Sequence, residues 1–287
     1  MKKGKSSKGS PRFINEIKTL VKVVDYVLEI LDARAPQSTK NPILSDIINP
    51  SQEVILLNKS DLAENNVTSQ WESYFKSNGQ QALSFSMKKA PAVISDYLDT
   101  IDIKSSRNKL NRACRIMIVG IPNVGKSTIT NSLLKRKTVR TGDKPGITRG
   151  NQWVRIKPGL ELLDTVGILS PNINEATFTN LAVLGLISES RIDPQEVAFS
   201  LIDKLIDKRL LERLISRYGI TKKIEEDPEM ILEEIGARRG SLGSGGEVDL
   251  SKASQILLKD FREGRLGPIS LESPEEINKT DYNGIGE

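Results

Sequence analysis

The stretch Gly120-Ile121-Pro122-Asn123-Val124-Gly125-Lys126-Ser127-Thr128 fits the pattern Gly-x-x-x-x-Gly-Lys-Ser of a phosphate-binding loop, or P-loop. The apolar run before it, residues 115–119, predicts a buried strand, and residues 128–134 after it have apolar positions at helical spacing. A strand, a glycine loop and a helix start direct backbone N–H groups and the positive end of a helix at an anion. We therefore predict that this stretch binds nucleotide phosphates, with Lys126 at the β- and γ-phosphates and Ser127 on Mg²⁺. A chance glycine-rich turn is the alternative, and the flanking patterns disfavour it.

The length and composition limit the class of protein. The 287 residues, of which 37% are hydrophobic, suffice for one large domain or two modest ones. No apolar run is long enough to span a membrane, and none follows Met1-Lys2-Lys3 as it would in a secretion signal. The single cysteine, Cys114, fits a small buried residue in a reducing compartment. These features predict a cytoplasmic protein with no membrane partner.

Charge and the absence of one residue type narrow the chemistry. The sequence contains no histidine, which excludes histidine catalysis and histidine metal sites. A net charge of +5 suits an anionic partner without identifying it. Residues 1–12 hold five basic side chains among glycines and serines, and they predict a flexible basic arm that either binds phosphates or is simply solvated.

A second buried strand, predicted over residues 54–57, ends in Asn58-Lys59-Ser60-Asp61. Asn-Lys-x-Asp at a strand end is the guanine-recognition motif of GTPases. Asp61 can accept hydrogen bonds from guanine N1–H and the exocyclic amine, Asn58 can satisfy O6 and N7, and the stem of Lys59 can cover the base. Such a site rejects adenine strongly, because its buried polar groups would be left unpaired. The alternative is an ordinary strand-to-helix turn in which Asp61 is a helix N-cap.

The same pattern occurs again near the C-terminus, as Asn278-Lys279-Thr280-Asp281. This copy follows the P-loop, as the motif does in a conventional GTPase. However, the residues before it do not predict a strand, and only six residues follow it. The first copy is followed by a predicted strand over 82–85 and by Ser86-Met87-Lys88, which resembles the element that braces guanine through backbone contacts. We therefore assign base recognition to residues 58–61 and regard 278–281 as a coincidence.

Two segments after the P-loop fit nucleotide switches. Residues 142–150 are rich in glycine and proline, and Thr148 within them is predicted to bind Mg²⁺ and to respond to the γ-phosphate. A hairpin predicted over 151–163 ends in Asp164-Thr165-Val166-Gly167. This Asp-x-x-Gly pattern predicts a second switch, with Asp164 in the Mg²⁺ shell and the N–H of Gly167 on the γ-phosphate.

The remaining elements follow from periodicity. Residues 103–115 are polar and basic and predict a connection that leads to the P-loop strand. From about residue 171 helical periodicity dominates, which predicts a separate helical domain whose lysines and arginines face either RNA or water. The other predicted elements are helices over 13–22, 43–48 and 91–101, a strand over 23–31, and a helix with core aromatics Trp71, Tyr74 and Phe75.

The motifs occur in the order base recognition, bracing, P-loop, first switch, second switch, which is a circular permutation of a GTPase. The sheet can be unchanged, because strand connections can be re-cut where loops are exposed. The set resembles the circularly permuted GTPases and is most similar to the ribosome biogenesis GTPase A family. The stretches that carry the resemblance are 32–36 (Asp-Ala-Arg-Ala-Pro), 57–61, 120–128, 145–148, 164–169 and 245–250.

The resemblance implies an α/β fold: a circularly permuted P-loop GTPase domain with a mostly parallel sheet between helices, followed by a smaller all-helical domain. We place the basic arm at 1–12, the GTP-binding domain at 13–172, and the helical domain, with an exposed tail, at 173–287. The resemblance also implies GTP and GDP binding with Mg²⁺, and a role in assembling the large ribosomal subunit with the C-terminal helices on ribosomal RNA. It implies stimulation by K⁺, for which Asn123 occupies the matching position.

Two departures from the family concern hydrolysis. The family's N-terminal Trp/Phe-Pro-Gly-His-Met motif is absent, with Ser6–Pro11 near its place, and Val166 replaces the usual proline of the second switch. Ile168 follows Gly167, where Ras-like enzymes carry a glutamine that orients water. We expect slow intrinsic turnover that K⁺ or the ribosome accelerates. The alternatives are a GTP-dependent RNA- or ribosome-binding switch with negligible hydrolysis, and an ATPase without guanine selectivity.

Overall fold

The computed structural model describes residues 11–108, 113–135, 152–164, 173–220, 226–243 and 245–277. Over these residues the chain divides into two compact units. The first unit runs to the residues before Ile173 and includes the chain again from Glu272, and the second unit comprises Ile173–Leu271. None of the helices in the described ranges is long and apolar enough to cross a lipid bilayer.

A six-stranded sheet organises the first unit. Every neighbouring pair of strands is parallel except the last two, which form an antiparallel hairpin. The central strands are buried on both faces, as expected for parallel strands that helices cover on both sides. The strands are β1 (Tyr26–Asp32), β2 (Glu53–Asn58), β3 (Gln81–Ser84), β4 (Cys114–Val119), β5 (Gln152–Lys157) and β6 (Leu160–Asp164), in the order β3-β2-β1-β4-β6-β5. The predicted mostly parallel α/β sheet is confirmed.

Helices of the first unit pack on this sheet through apolar side chains. Ile17 and Val21 of the first helix pack with Met117 of β4, and Trp71 and Phe75 of the fourth pack with the ends of β1 and β2. The helices are α1 (Pro11–Val21), α2 (Pro36–Thr39), α3 (Pro42–Ser45), α4 (Asn65–Ser77), α5 (Ala92–Asn108) and α6 (Lys126–Lys135). The predicted role of the α4 aromatics in the core is confirmed for Trp71 and Phe75, which are buried.

Three element boundaries differ from the predictions. Helix α5 continues to Asn108, so the connection predicted over 103–115 is wrong in its first part. Between Ala92 and Asn108 no glycine or proline occurs, and so a polar segment can remain helical. Helix α1 begins at Pro11, within the predicted arm, because proline suits the first turn of a helix. Strand β1 begins at Tyr26 instead of Val23.

The second unit is built from helices, as predicted from residue 171 onward. Among its described residues there are five α-helices, and four of them start at an asparagine or aspartate whose side chain accepts a backbone N–H of the first turn, a strong N-cap. Leu201, Leu205, Leu232 and Leu257 are fully buried and form part of its core. The helices are α7 (Glu175–Val183), α8 (Pro194–Asp207), α9 (Leu211–Tyr218), α10 (Pro228–Arg238) and α11 (Leu250–Arg262).

The C-terminal tail was predicted to be an exposed part of the helical domain, and this is wrong for its described part, Glu272–Ile277. That segment belongs to the first unit. The indole N–H of Trp71 donates to the carbonyl oxygen of Glu272 at 3.2 Å, and Ile277 packs on the cluster that contains Trp71 and Phe75. An apolar side chain, and an indole donor that needs a partner, explain why Ile277 and the backbone of Glu272 pack against the first unit. Residues 278–287 lie outside the described chain.

Strand β1 carries a buried carboxylate, Glu29, which shares a lysine with Glu53 of β2. The Nζ of Lys40 lies 2.7 Å from Glu29 and 3.3 Å from Glu53, and the backbone N–H of Asn41 donates to Glu29 at 3.0 Å. Two carboxylates therefore face one ammonium away from water. Burial raises the pKa of Glu29 to about 7, with Glu53 acting in the same direction and Lys40 against it.

Stability should depend on pH through Glu29. Because the folded protein holds a proton on Glu29 up to about pH 7, whereas an ordinary glutamate releases it near 4.5, the stability this provides is complete below pH 4.5 and is lost as the pH rises through 7. Glu29→Gln removes the titration. Its free energy of unfolding relative to the wild type should increase across this range by at most about 3.4 kcal/mol, which is 1.36 kcal/mol for each pH unit between 4.5 and 7.

Denaturant unfolding at a series of pH values measures this difference, with the exposed Glu275→Gln as a control for the loss of one surface charge. A difference between Glu29→Gln and the wild type that stays constant from acid to neutral pH would contradict the assignment.

Candidate functional site

The loop between β4 and α6 needs glycine at two positions. Gly120 and Gly125 have φ angles of +147° and +117°, in the region that side chains rarely adopt. A Cβ on Gly120 would lie 2.7 Å from the carbonyl oxygen of Ile30 in β1, and one on Gly125 would lie 2.4 Å from Nδ2 of Asn58. The loop therefore follows the ends of β1 and β2 more closely than any larger residue allows.

The charged and hydroxyl groups of the P-loop converge on the start of α6. The side chain of Lys126 is only 7% exposed, and its Nζ donates to the carbonyl oxygen of Ile121 at 2.7 Å. Ser127 and Thr128 follow in the first turn and are exposed, whereas Val124 is buried. Asn123 is exposed and left-handed, with a φ of 62°. A cation, accessible hydroxyls and a helix N-terminus together suit an anion.

The turn after β2 contacts the P-loop directly. Asn58 is 4% exposed, and its Nδ2 donates to the carbonyl oxygen of Val124 at 3.1 Å, across 66 positions of sequence. Its Oδ1 accepts the backbone N–H of Lys59 at 2.8 Å, and Lys59 adopts a left-handed conformation with φ 60°. The structure thus brings Asn58 beside Val124 and Gly125 of the P-loop.

Asp61 lies in the turn that follows β2. It lies in a short 3-10 turn, Ser60–Leu62, and the N-cap of α4 is Glu64, so the N-cap alternative for Asp61 is wrong. The residue is half-buried, and no hydrogen bond or ion pair joins its carboxylate to another residue of the described ranges. The second copy of the motif, 278–281, lies outside those ranges.

The segment after β3 runs along the same turn. The backbone N–H of Phe85 donates to Leu57 at 3.0 Å, and that of Ser60 donates to Phe85 at 3.1 Å. Ser86 is buried, and its Oγ accepts the backbone N–H of Lys89 at 3.2 Å. Met87 is half-buried and Lys88 exposed. Residues 86–88 therefore begin where the backbone of β3 is tied to the turn that carries Asp61.

A further pair of residues, to which the sequence analysis assigned no role, lies at this site. Asp32 at the end of β1 is fully buried, and it accepts two hydrogen bonds from the guanidinium of Arg34, at 2.9 and 2.8 Å. The Nζ of Lys59 lies 2.9 Å from the same carboxylate. Burial opposes the charge of Asp32, but Arg34 and then Lys59 outweigh it and hold its pKa well below the usual range.

The sequence shows that Asp32 is a polar residue at the end of a buried strand, but its place beside Asn58 can be predicted only once the order of the strands is known. Asp32 pairs with Asn58 in the parallel register of β1 and β2. Since the carboxyl ends of parallel strands meet at one edge of a sheet, a polar residue ending β1 lies beside one ending β2 once these strands are known to be neighbours.

The predicted switch residues are mostly outside the described chain. Asp164 is the last residue of β6, and its backbone pairs with Ile118 of β4, so that β6 ends next to the strand that enters the P-loop. Thr148 and Gly167, with the first switch and most of the second, lie outside the described residues.

The order of strands explains how the Asn-Lys-x-Asp turn can precede the P-loop in sequence and still lie beside it. Strands β1–β3, which come before the P-loop in the chain, form one half of the sheet, and β6 and β5 lie on the other side of β4. The turn after β2 consequently reaches the loop after β4 from the same edge, although it comes earlier in sequence.

The family model and the most similar sequences compared with this chain all describe ribosome-related GTPases. A protein family described as "50S ribosome-binding GTPase" matches residues 115–232. The chain is 38% identical over 270 residues to ribosome biogenesis GTPase A of Bacillus cereus, covering 90% of each protein. It is 32% identical over 263 residues to ribosome biogenesis GTPase A of Thermotoga maritima, covering 91% of each.

Solved structures agree with these sequence relatives. The structure of GNP-bound YlqF from T. maritima aligns with a TM-score of 0.63 and 29% identity, covering 91% of this chain and 97% of that one. The GDP-bound structure of YlqF aligns with a TM-score of 0.64 and 30% identity, covering 91% and 99%. With relatives of this identity along nine tenths of both chains, and with an Asn-Lys-x-Asp turn that contacts the P-loop and precedes it in sequence, the chain belongs to the ribosome biogenesis GTPase A family.

Proposed function

We propose that this protein is a GTP-hydrolysing assembly factor for the large ribosomal subunit, and that its nucleotide state controls its association with the pre-ribosome. The observation that most directly supports a guanine-nucleotide site is the hydrogen bond from Asn58 to Val124, which joins the Asn-Lys-x-Asp turn to the P-loop. The names of the relatives support the ribosomal role, and the matched family description names the 50S subunit.

The base-binding part of the site follows from donors and acceptors. Asp61 offers a half-buried carboxylate that pairs with no other described residue, as an acceptor for guanine N1–H and the exocyclic amine requires. Asn58 and Lys59 flank it, and Ser86, Met87 and Lys88 brace the base from the neighbouring strand end. An adenine ring would leave the carboxylate facing an acceptor, and this mismatch is the basis of guanine selectivity.

The phosphate-binding part uses the P-loop and its cation. The loop supplies backbone N–H groups, and Lys126 supplies the ammonium. The residues proposed to bind the phosphates are Asn123, Val124, Gly125, Lys126, Ser127 and Thr128. Mg²⁺ would be held by Ser127 with Thr148 and Asp164, and it would neutralise charge on the β- and γ-phosphates. The N–H of Gly167 would contact the γ-phosphate, so that triphosphate orders both switches.

The chain has no histidine, and the position directly after Gly167 is Ile168 instead of a glutamine that could orient the attacking water. We therefore propose that hydrolysis is slow in the free protein and that K⁺ near Asn123, or the ribosomal particle, accelerates it. The same observation favours a second candidate function, a GTP-dependent RNA- or ribosome-binding switch with negligible hydrolysis. A nucleotide site without guanine selectivity would instead indicate an ATPase.

The helical unit offers basic groups for ribosomal RNA. Arg217 and Arg265 both pair with the buried Asp260, at 2.8 Å each, and the Arg239 guanidinium lies 5.0 Å from the ring centre of Tyr218. Arg265 also pairs with Glu263, so that three guanidinium groups face two carboxylates, and the net positive charge that remains favours phosphate contacts.

The identity of the base tests the site. In Asp61→Asn, the amide donates where the carboxylate accepted, so the preference should move from GDP to XDP by at least about 100-fold. Equilibrium binding of GDP, ADP and XDP to wild type, Asp61→Asn and Asp281→Asn measures it. Asp281→Asn should bind like the wild type; a change of preference in that variant instead would transfer base recognition to the tail copy.

The phosphate cradle is tested by Gly125→Ala. The new Cβ would collide with the buried amide of Asn58 at a strained φ, so GDP affinity should fall by at least about tenfold. Gly240→Ala is the matched control, since Gly240 also has a positive φ, +67°, but nothing lies within 4 Å of its added Cβ. Equal GDP affinity in both variants would contradict the close approach of the two loops.

Single-turnover GTP hydrolysis separates the two candidate functions. We expect the rate in K⁺ to exceed that in Na⁺, and the purified large subunit to raise it by about 10-fold or more. The loss of guanine binding in Asp61→Asn provides the control, because that variant should not hydrolyse GTP under the same conditions. No acceleration by K⁺ or by large-subunit particles would favour the switch with negligible hydrolysis.

A further inference from the structure

The carboxylate of Glu272, in the chain that returns to the first unit, is bound to the segment after β1. It accepts the backbone N–H of Gln37 at 2.9 Å and that of Ser38 at 3.1 Å, together with the hydroxyl of Ser38. Ser38 is 5% exposed. Glu272 and Ser38 are 234 positions apart, so this contact is purely tertiary. Hydrogen bonds to an ionised acceptor are among the stronger ones in proteins.

Apolar packing and an indole donor fix the same segment, 272–277, which we call the clasp. Trp71 donates to the backbone of Glu272, and Ile277 packs on a cluster that includes Leu31, Ala33 and Leu57. These three residues flank Asp32 and Asn58 in sequence. The clasp is therefore anchored beneath the strand ends that carry the base-recognition turn.

The segment that Glu272 holds is bonded to Asp32. Thr39, next to Ser38, is fully buried, and its hydroxyl accepts the backbone N–H of Asp32 at 3.0 Å while donating to Ala35 at 2.7 Å. The N–H of Ala35 donates to the carbonyl of Asp32 at 3.0 Å. Fixing Ser38 thus fixes the position of Asp32.

Asp32 in turn holds the side chain of Lys59 through its 2.9 Å contact with Nζ. We propose that Glu272 and Asp32 are positioning residues for base recognition, which keep the Lys59 stem where it covers the purine. The inference rests on the proposed guanine site at residues 58–61. A lysine that is already held loses less rotamer freedom when the nucleotide binds, and affinity rises accordingly.

The test is the dissociation rate and affinity of a fluorescent GDP analogue with the full chain. Glu272→Gln keeps the shape but removes the charge of the acceptor, and Ser38→Ala removes only the hydroxyl. Each should weaken GDP binding, Glu272→Gln by about fivefold, the lower end of coupling between sites. The matched control is Glu275→Gln, an exposed glutamate of the same segment, which should leave the affinity unchanged.

A double-mutant cycle separates positioning from general loosening. In Lys59→Met, which keeps a stem but has no ammonium for Asp32, Glu272→Gln should have little further effect on GDP affinity. The same fivefold loss in both backgrounds, or no difference between Glu272→Gln and Glu275→Gln, would overturn the proposal.

The base preference of Asp61→Asn distinguishes a failure of the proposed guanine site from a failure of the proposed role of the clasp. If that variant prefers XDP while Glu272→Gln binds GDP like the wild type, the guanine site stands and the clasp's role is overturned. If Asp61→Asn keeps the wild-type preference, both are overturned, because Lys59 would then not lie over a guanine.

Discussion

One hydrogen bond, from the amide of Asn58 to the carbonyl of Val124, fixes the turn after β2 against the loop after β4. It forms because β1, β2 and β4 run parallel and end at one edge of the sheet. Gly125 makes room for it by having no Cβ. Every inference about a nucleotide depends on this contact, since it sets the separation between the groups that would hold phosphate and those that would hold a base.

The buried carboxylates of β1 orient the lysine side chains that pair with them more than they stabilise the fold. Asp32 is fully buried and pairs with two cations, and Glu29, three residues earlier in β1, shares Lys40 with Glu53. Desolvation offsets most of the Coulomb attraction in such groups, so they are weak arguments for stability. What they provide is a preferred direction for long side chains, and the side chain of Lys59 is directed toward Asp32.

Local patterns predicted the parts of the fold that depend on neighbours in sequence. Apolar runs located the strands, and the P-loop and Asn58 could be expected at one edge because each follows a buried strand. The role of Asp32 could not be found in this way, because it requires knowing that β1 lies between β2 and β4. Glu272 was unpredictable for a similar reason: its partners at Gln37 and Ser38 are far away in sequence, and a polar tail carries no periodicity. Helix α5 extends to Asn108, beyond its predicted end at residue 101, because polar residues without glycine or proline can remain helical.

In the proposed site, one purine nucleotide spans the turn after β2 and the P-loop. An experimental structure of the protein with GDP measures it directly, through the distance from the Asp61 carboxylate oxygens to guanine N1 and the exocyclic amine. We predict two distances of about 2.7–3.2 Å, with the phosphates on the P-loop. A guanine ring bound by Asp281, or bound away from Asp61 altogether, would contradict the account.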